Sequence, residues 1–202
     1  MSLPVWATDP SSLLITEEQY DALPEDLAHS IEVVDGSVIF CESPTLEHQR
    51  VSANLTWAIR SARPSEPCID VLQDTDMRYV HVNPHVSSEG RRFTMRRPDI
   101  SVFWCVKPGA KLTSADVFVA VEISSTNSET DFVDKKAEYA ARRIPVYLVV
   151  IVEGTTVNSV EEYRLDWSGR SYQLVTVHRG GLDVDLAEDF KVSVAFAVLE
   201  QL

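Results

Sequence analysis

One stretch of the chain, residues 98–152, constrains the fold more than any other. It contains an apolar run from Ile100 to Val106, a second that begins at Val117, and a third from Val146 to Val152, with a helical pattern before the third. A strand, a helix and a strand in succession predict a right-handed crossover with parallel pairing. The third run is apolar almost throughout, as expected of a strand covered on both faces. The stretch therefore predicts an α/β unit.

The flanking segments extend this unit. The dipeptide Asp35-Gly36 is the strongest short hairpin signal in the chain, and it joins predicted strands at Ile31–Val34 and Ser37–Cys41. Helical spacing of apolar residues predicts a helix from Leu46 or Glu47 to Ala62, and the apolar end at Val194–Leu199 predicts another. The predicted fold class is α/β: a mixed β-sheet flanked by helices, in which an antiparallel hairpin meets the crossover unit, with additional N- and C-terminal strands.

The composition is that of an ordinary globular protein, with 45% hydrophobic and 24% charged residues. The length of 202 residues suits a single domain spanning residues 1–202. The three cysteines, Cys41, Cys68 and Cys105, are far apart and odd in number, so we expect neither a disulfide framework nor a zinc knuckle. We therefore expect a cytoplasmic protein, with no signal peptide and no membrane-spanning segment.

The formal net charge of −13 opposes the approach of phosphate groups. Non-specific binding to nucleic acid should then be weak. Arginines interrupt this acidic background just before Asp99; they are Arg91, Arg92, Arg96 and Arg97. Two interpretations stay open: the arginines line a path for phosphate groups, or they are the solvated positions of an ordinary strand.

Two carboxylates lie on predicted strands of the central stretch. Asp99 precedes the first apolar run, and Glu122 lies near the end of the second. If these two runs pair as a hairpin, both side chains lie at the same end of the sheet. Burying Glu122 in an apolar strand without a partner is costly, and a metal ion or a cation removes that cost. Hard oxygen ligands of this kind suit Mg²⁺ or Mn²⁺.

A lysine is predicted to reach the same end of the sheet. Asp131, Lys135 and Tyr139 are spaced four residues apart, so they share one face of the helix that follows Glu122. This helix packs over the sheet, which brings Lys135 toward the carboxylates. A lysine there can orient a metal-bound water or stabilise the charge that develops on a phosphate group.

Several groups of residues combine into a pattern that is more specific than any one of them. They are Ile31-Glu32-Val33-Val34-Asp35-Gly36, Ser43-Pro44 with His48-Gln49, Pro98-Asp99, Val121-Glu122-Ile123-Ser124-Ser125-Thr126, Asp131-x-x-x-Lys135-x-x-x-Tyr139 and Ile144-Pro145-Val146-Tyr147. Over roughly residues 15–200 this pattern resembles the Uma2 family, which consists of bacterial endonucleases in the PD-(D/E)xK superfamily. The resemblance implies a restriction-endonuclease-like core and metal-dependent hydrolysis of phosphodiester bonds.

The resemblance also implies roles for individual residues. Asp99 and Glu122 would bind Mg²⁺, with the carbonyl of Ile123 as a third ligand. The superfamily places a lysine two positions after the second acid, where this chain has Ser124. In families of this kind the lysine is thought to come from the following helix, and Lys135 matches that position. Lys135 would then position the attacking water.

Glu32 and His48 are implied as weaker candidates for the rim of the same site. His48 lies in the first turn of its predicted helix, close to the apolar stripe, so it can point at the sheet. Structural roles stay open for both residues. His48 can simply cap or pack against its helix, and Glu32 can pair across the hairpin that turns at Asp35-Gly36.

Structural roles are open for the central residues as well. Asp99 or Glu122 can cap a turn or pair with an arginine such as Arg97. Lys135 can be a solvated residue that bridges to Asp131 at helical spacing. Two strand-borne carboxylates that converge with a lysine nevertheless favour a functional site.

These observations predict a Mg²⁺- or Mn²⁺-dependent endonuclease that hydrolyses nucleic acid, with DNA favoured as the substrate. A homodimer is expected by analogy, since a compact nuclease often needs two copies to cut both strands. The alternative is a non-catalytic or self-associating protein-interaction module that keeps the nuclease fold, which the acidic charge favours. A third hypothesis is hydrolysis of a small phosphorylated compound.

Overall fold

The structure is a computed structural model that describes residues 14–41, 43–80, 93–125 and 129–201. Its helices are α1 (Glu17–Asp21), α2 (Glu25–Ala28), α3 (Leu46–Ala62), α4 (Glu129–Ala141) and α5 (Phe196–Leu199). Its strands are β1 (Ile31–Val34), β2 (Ser37–Phe40), β3 (Ile69–Gln73), β4 (Met77–Arg78), β5 (Met95–Arg96), β6 (Ile100–Trp104), β7 (Val117–Ser125), β8 (Val146–Glu153), β9 (Thr156–Leu165), β10 (Tyr172–His178), β11 (Gly181–Ala187) and β12 (Phe190–Ala195). Arg91, Arg92 and the side chain of Asp131 lie outside the described residues.

A mixed sheet forms the centre of the described structure. Its six strands lie in the order β10-β9-β8-β7-β6-β3. β7 and β8 are parallel, as the crossover through α4 predicts, and the other neighbouring pairs are antiparallel. The predicted fold class is therefore confirmed, because the β6–β7 hairpin meets a βαβ unit.

Helices α3 and α4 cover opposite faces of this sheet. The stripe Val51, Leu55 and Ile59 of α3 is buried in one hydrophobic cluster, which β11, β12 and α5 complete. Tyr139 of α4 is fully buried in the cluster on the other face, where its ring packs edge-on against Tyr147. No helix in the described part of the chain is long and apolar enough to cross a membrane.

The start of α3 is fixed by its own sequence. The side chain of Thr45 accepts a hydrogen bond from the N–H of His48 at 3.2 Å, which caps the first turn. Beyond the helix, Arg63 has an extended backbone and Pro64 follows, a residue before which helical geometry is disfavoured. His48 is thereby held at the end of α3 nearest the start of β6.

Four other described strands form a second sheet, in the order β2-β1-β5-β4. The β1–β2 hairpin turns at Asp35 and Gly36, which have φ angles of 48° and 79°. Positive φ at both turn residues is what the favoured two-residue hairpin turn requires. This sheet matters for the site because β1 carries Glu32 and β5 carries Arg96.

One local prediction is wrong, and another is confirmed with a shorter extent. Strand alternation predicts that Phe118 shares a face with Ala120 and Glu122, but Phe118 packs in the cluster on the α3 face, and Ala120 in the cluster on the α4 face. An irregularity in the β6–β7 register between Val102 and Phe103 shifts the alternation there. The predicted C-terminal helix also begins later, at Phe196, because the preceding residues complete β12 by pairing with β11.

The expectation of no disulfide is corrected as well, because Cys68 and Cys105 are bonded at a sequence separation of 37. Cys68 precedes β3 and Cys105 follows β6, and the antiparallel register makes them neighbours. The N–H of Cys105 also donates to the carbonyl of Cys68 at 3.1 Å. Disulfides are rare in the reducing cytosol, so this bond weighs against the cytoplasmic location expected from the sequence.

Removing this disulfide is expected to lower the free energy of unfolding by about 2 to 4 kcal/mol, because the cross-link restricts the unfolded chain. Urea denaturation of Cys68→Ala with and without a reducing agent measures the loss, compared with the oxidised wild type. Cys41→Ala is the control, since Cys41 is exposed and lies outside the disulfide. An oxidised wild type with the same stability as the reduced protein would contradict the prediction.

Candidate functional site

Three acidic residues lie in one row across neighbouring strands, at one end of the central sheet. The β6–β7 register continues from Ile100 and Val121 to place Asp99 opposite Glu122. The β3–β6 register places Asp74 beside Asp99, whose carbonyl accepts a hydrogen bond from the N–H of Asp74 at 3.3 Å. Asp99 and Glu122 are directly opposite each other on paired strands, so their side chains lie on the same face. Asp74 follows the end of β3 and has a φ angle of 47°, so this rule does not fix the face of its side chain. The hairpin predicted from the sequence thus brings Asp99 and Glu122 together.

Glu122 is buried at the centre of this end of the sheet, with 3% of its surface exposed. Lys135 Nζ donates to Oε2 at 3.0 Å, and the Tyr139 hydroxyl donates to Oε1 at 2.7 Å. Burial raises the pKa of Glu122 to about 8, and the charges of Asp99 and Glu32 also raise it, while Lys135 lowers it. The effect of burial on the pKa of Glu122 is therefore larger than the opposite effect of Lys135, and burial disfavours the ionised carboxylate.

Asp99 occupies the more open side of the site. Its Oδ2 accepts a hydrogen bond from the N–H of Ile123 at 2.6 Å, and its Oδ1 lies 3.1 Å from His48 Nε2. The side chains of His48 and Asp99 are 22% and 17% exposed, against 4% for Glu122 and 9% for Lys135. A ligand would therefore reach the row from the side of His48 and Asp99.

His48 is held in a negatively charged environment. Burial alone lowers the pKa of His48, but the hydrogen bond with Asp99 and the charges of Asp99, Asp74 and Glu122 raise it above its ordinary value overall. The pKa of Asp74 is also raised, first by burial and then by the charge of Asp99. A proton or a cation that binds among these groups relieves their mutual repulsion.

A second set of charges supports Lys135 from the other side. Lys135 Nζ lies 3.8 Å from Glu32 Oε1. Glu32 accepts hydrogen bonds from Arg96 Nη1 at 2.8 Å and from the N–H of Arg97 at 2.7 Å. Arg96 also binds Glu138 through Nε at 2.9 Å and Nη2 at 2.7 Å. Because Lys135 and Glu138 are both on α4, this network fixes the helix against β1 and β5.

These contacts decide two of the structural roles that the sequence left open, the pairing of Glu32 across its hairpin and the pairing of Asp99 with Arg97. The cross-strand position opposite Glu32 is Ile39, so the pairing of Glu32 across its hairpin is wrong. Arg97 does not pair with Asp99 in the described structure but binds Asp76, with Nη2 at 2.6 Å from Oδ1.

The structure also bears on the interpretation in which the arginines line a path for phosphate groups. Arg96 and Arg97 point inward, with side chains 3% and 7% exposed. The sequence did not indicate two further residues of the site, Asp74 beside Asp99 and Glu138 bound to Arg96. Their positions depend on pairings between distant segments of the chain.

The donors available to a metal ion are two carboxylates with backbone and solvent oxygens. Within residues 14–41, 43–80, 93–125 and 129–201 no group of three or more His, Cys, Asp and Glu side chains is placed to hold a metal ion. Mg²⁺ usually keeps several waters and is bound by only one or two carboxylates, so Asp99 and Glu122 fit that ion. Ile123 meets Asp99 through its N–H, and the ligand role of its carbonyl stays a prediction.

The fold is that of a restriction-endonuclease-like α/β protein. A crystal structure described as a putative nuclease belonging to DUF820, from Anabaena variabilis ATCC 29413, has a similar fold with a TM-score of 0.66. The two chains are 15% identical, and the similarity covers 92% of this chain and 97% of the other.

A comparison of the sequence with models of protein families identifies the family. The model of the Uma2 family, described as "Putative restriction endonuclease", matches residues 17–198. The chain belongs to the Uma2 family. Among curated proteins there is no match.

Proposed function

We propose that this protein is a Mg²⁺- or Mn²⁺-dependent endonuclease whose site is formed by Asp99, Glu122 and Lys135. The observation that carries the proposal is the position of Glu122, which is buried against Lys135 and faces Asp99, with its pKa raised to about 8. A purely structural glutamate would be expected to have its charge fully compensated. Strongly shifted groups gathered in one place are typical of functional sites.

Each residue is proposed to have a separate role. Asp99 and Glu122 would hold the metal ion, with the carbonyl of Ile123 as a third protein ligand. A bound divalent ion supplies a water of lowered pKa and stabilises charge on the phosphoryl oxygens. Lys135 can donate three hydrogen bonds, so while it holds Glu122 it can also orient a water. Tyr139 fixes the other oxygen of Glu122 and prevents the carboxylate from rotating.

The residues at the rim act on the phosphate and on Lys135. His48 lies on the open side of Asp99 and, when protonated, offers a cation to the negative phosphodiester. Glu32 lies behind Lys135 and is engaged by Arg96, so we assign it a positioning role. The family supports nucleic acid as the substrate, and DNA as the preferred one stays part of the proposal.

A thermal melt with and without millimolar Mn²⁺ tests the metal site. Binding to the folded state alone stabilises it by about 2.7 kcal/mol when free metal is a hundred times the dissociation constant. We expect the melting temperature of the wild type to rise with Mn²⁺, and that of Glu122→Ala to be unchanged by it. Cleavage of supercoiled plasmid, single-stranded DNA and RNA, followed on gels, should be lost in the same variant.

Glu162→Ala is the matched control. Glu162 is also a buried glutamate, and it pairs with Arg164 at 2.7 Å and with His178 at 3.0 Å on β9 and β10. This variant should lose stability but keep the response to Mn²⁺ and the cleavage. Cleavage that survives in Glu122→Ala would refute the assigned roles.

A non-catalytic, self-associating module with the same fold is the second candidate. It is favoured by the net charge of −13 and by the inward arrangement of Arg96 and Arg97, which leaves both unable to contact a phosphate backbone. It predicts no metal-dependent rise in melting temperature. A single domain spanning residues 1–202 and a homodimer are further parts of the proposal. A cytoplasmic location is also kept as a part of it, against the weight of the Cys68–Cys105 disulfide.

A further inference from the structure

The strand β10 forms one edge of the central sheet and is unusually apolar for an exposed strand. Leu174, Val175 and Val177 are 51%, 57% and 38% exposed. Residues 171–177 carry no charge, although 24% of the chain is charged. Natural edge strands are commonly protected by charges or proline, since their free N–H and C=O groups can pair with another strand. β10 has neither kind of protection, and its one irregularity in the described register with β9 lies between Leu174 and Thr176, at Val175.

The opposite edge of the same sheet is protected by the protein itself. Arg60 donates to the carbonyl of Val71, and Arg63 donates to the carbonyl of Ile69 at 2.9 Å. These arginines follow one another along the end of α3 and cover the outer side of β3. In the described residues, no comparable bond from another element reaches the backbone of β10 on the side away from β9. The protein covers one edge of its sheet and leaves the other available.

The turn before β10 presents an aromatic side chain to solvent. Trp167 is 97% exposed. The turn that carries it is well ordered by Asp166, whose carboxylate accepts hydrogen bonds from the hydroxyls of Ser168 at 2.7 Å and Ser171 at 2.8 Å. These bonds lower the pKa of Asp166, so the turn holds one negative and, through Arg170, one positive charge. A tryptophan on a rigid turn is a typical anchor of a protein interface.

We propose that β10 is the surface through which two copies of this chain form a homodimer, with the two β10 strands paired antiparallel about a two-fold axis. The pairing would join the two central sheets into one continuous sheet. This inference does not depend on the nuclease activity. It names a surface for the dimer that is otherwise expected only by analogy.

A second copy is the partner that the charges favour. Two chains that each carry −13 repel one another, and the repulsion is smallest where the contact surface has no charge. Antiparallel pairing of identical strands also makes the surface self-complementary, because Leu174, Val175 and Val177 meet the same apolar residues of the second copy. The electrically neutral turn of one copy then lies beside Arg179 of the other, where Trp167 can receive its guanidinium in a cation–π contact.

The test is the mass in solution of the wild type and of Val175→Lys, measured by light scattering or sedimentation over a dilution series. The wild type should have twice the 22.6 kDa mass of one chain. Val175→Lys places two like charges next to each other at the axis and should raise the dissociation constant about a hundredfold. Val175 is 57% exposed and is skipped in the register with β9, so the folded monomer tolerates the lysine.

Phe40→Lys is the matched control, since Phe40 is a 60% exposed apolar residue on β2, which is also an edge strand. It should dimerise like the wild type. Trp167→Ala, which cannot disturb the fold of the monomer, should weaken the dimer about tenfold. A monomeric wild type, a dimer that survives Val175→Lys, or an equal loss in Phe40→Lys each overturns the proposal.

Discussion

Arg96→Met is expected to lower the free energy of unfolding by about 3 to 5 kcal/mol, because it leaves two carboxylates without their shared cation in a buried site. Arg96 is 3% exposed and donates to Glu32 and Glu138, which are 6% and 23% exposed. The lost hydrogen bonds cannot be replaced fully by water at Glu32. Urea denaturation at neutral pH, compared with the wild type, measures the loss.

The control for this prediction is Lys111→Met. Lys111 also bridges two carboxylates, Glu17 at 2.9 Å and Asp21 at 2.5 Å, but its side chain is 49% exposed. Exposed ion pairs contribute about 0 to 1 kcal/mol, so this variant should remain close to the wild type. Equal losses in the two variants would show that burial is not what makes Arg96 important.

Glu122→Gln is expected to become more stable relative to the wild type as the pH rises toward 8. The folded-state pKa of Glu122 is about 8, above the ordinary value of 4.5, so between these values the folded protein holds a proton that the unfolded chain has released. The stability of the wild type therefore falls as the pH rises through this window. Glutamine resembles the protonated carboxyl and does not titrate, so it avoids this loss.

The expected size of this effect is about 1.4 kcal/mol for each pH unit within the window. Urea denaturation of both proteins in the presence of a chelator, at pH values from about 5 to 8, gives the difference directly. Below the ordinary pKa the difference should level off. A difference that stays constant over the whole range would contradict the raised pKa of Glu122. A stabilised variant that has lost cleavage would also show that Glu122 is kept for function at a cost in stability.

Local patterns were sufficient to predict the elements that form the centre of the fold. The hairpin at Asp35-Gly36, the helix α3 and the strands β6 to β8 follow from turn residues and from periodicity within a few residues of sequence. The closeness of Asp99 and Glu122 followed as well, because both lie at the ends of two strands that are neighbours in the chain. These predictions needed no knowledge of how distant segments meet.

Features that depend on distant pairings could not be predicted in this way. Asp74 joins the carboxylate row only because β3 pairs with β6, and the same pairing brings Cys68 to Cys105. Arg96 reaches Glu32 only because β5 lies beside β1. The local sequence around these strands does not determine which strands pair or in which register, because each strand alone is compatible with several neighbours.

The spacing of contacts along α4 limits how this part of the chain can change in evolution. Lys135 and Tyr139 both bind Glu122, and Glu138 between them binds Arg96 of another sheet. Each residue inserted in a helix turns the following residues by about 100° around its axis. An insertion or deletion between Lys135 and Tyr139 would therefore break at least one of these bonds in every homologue that shares them. We therefore expect length differences among proteins that share these bonds to lie outside this single turn of helix.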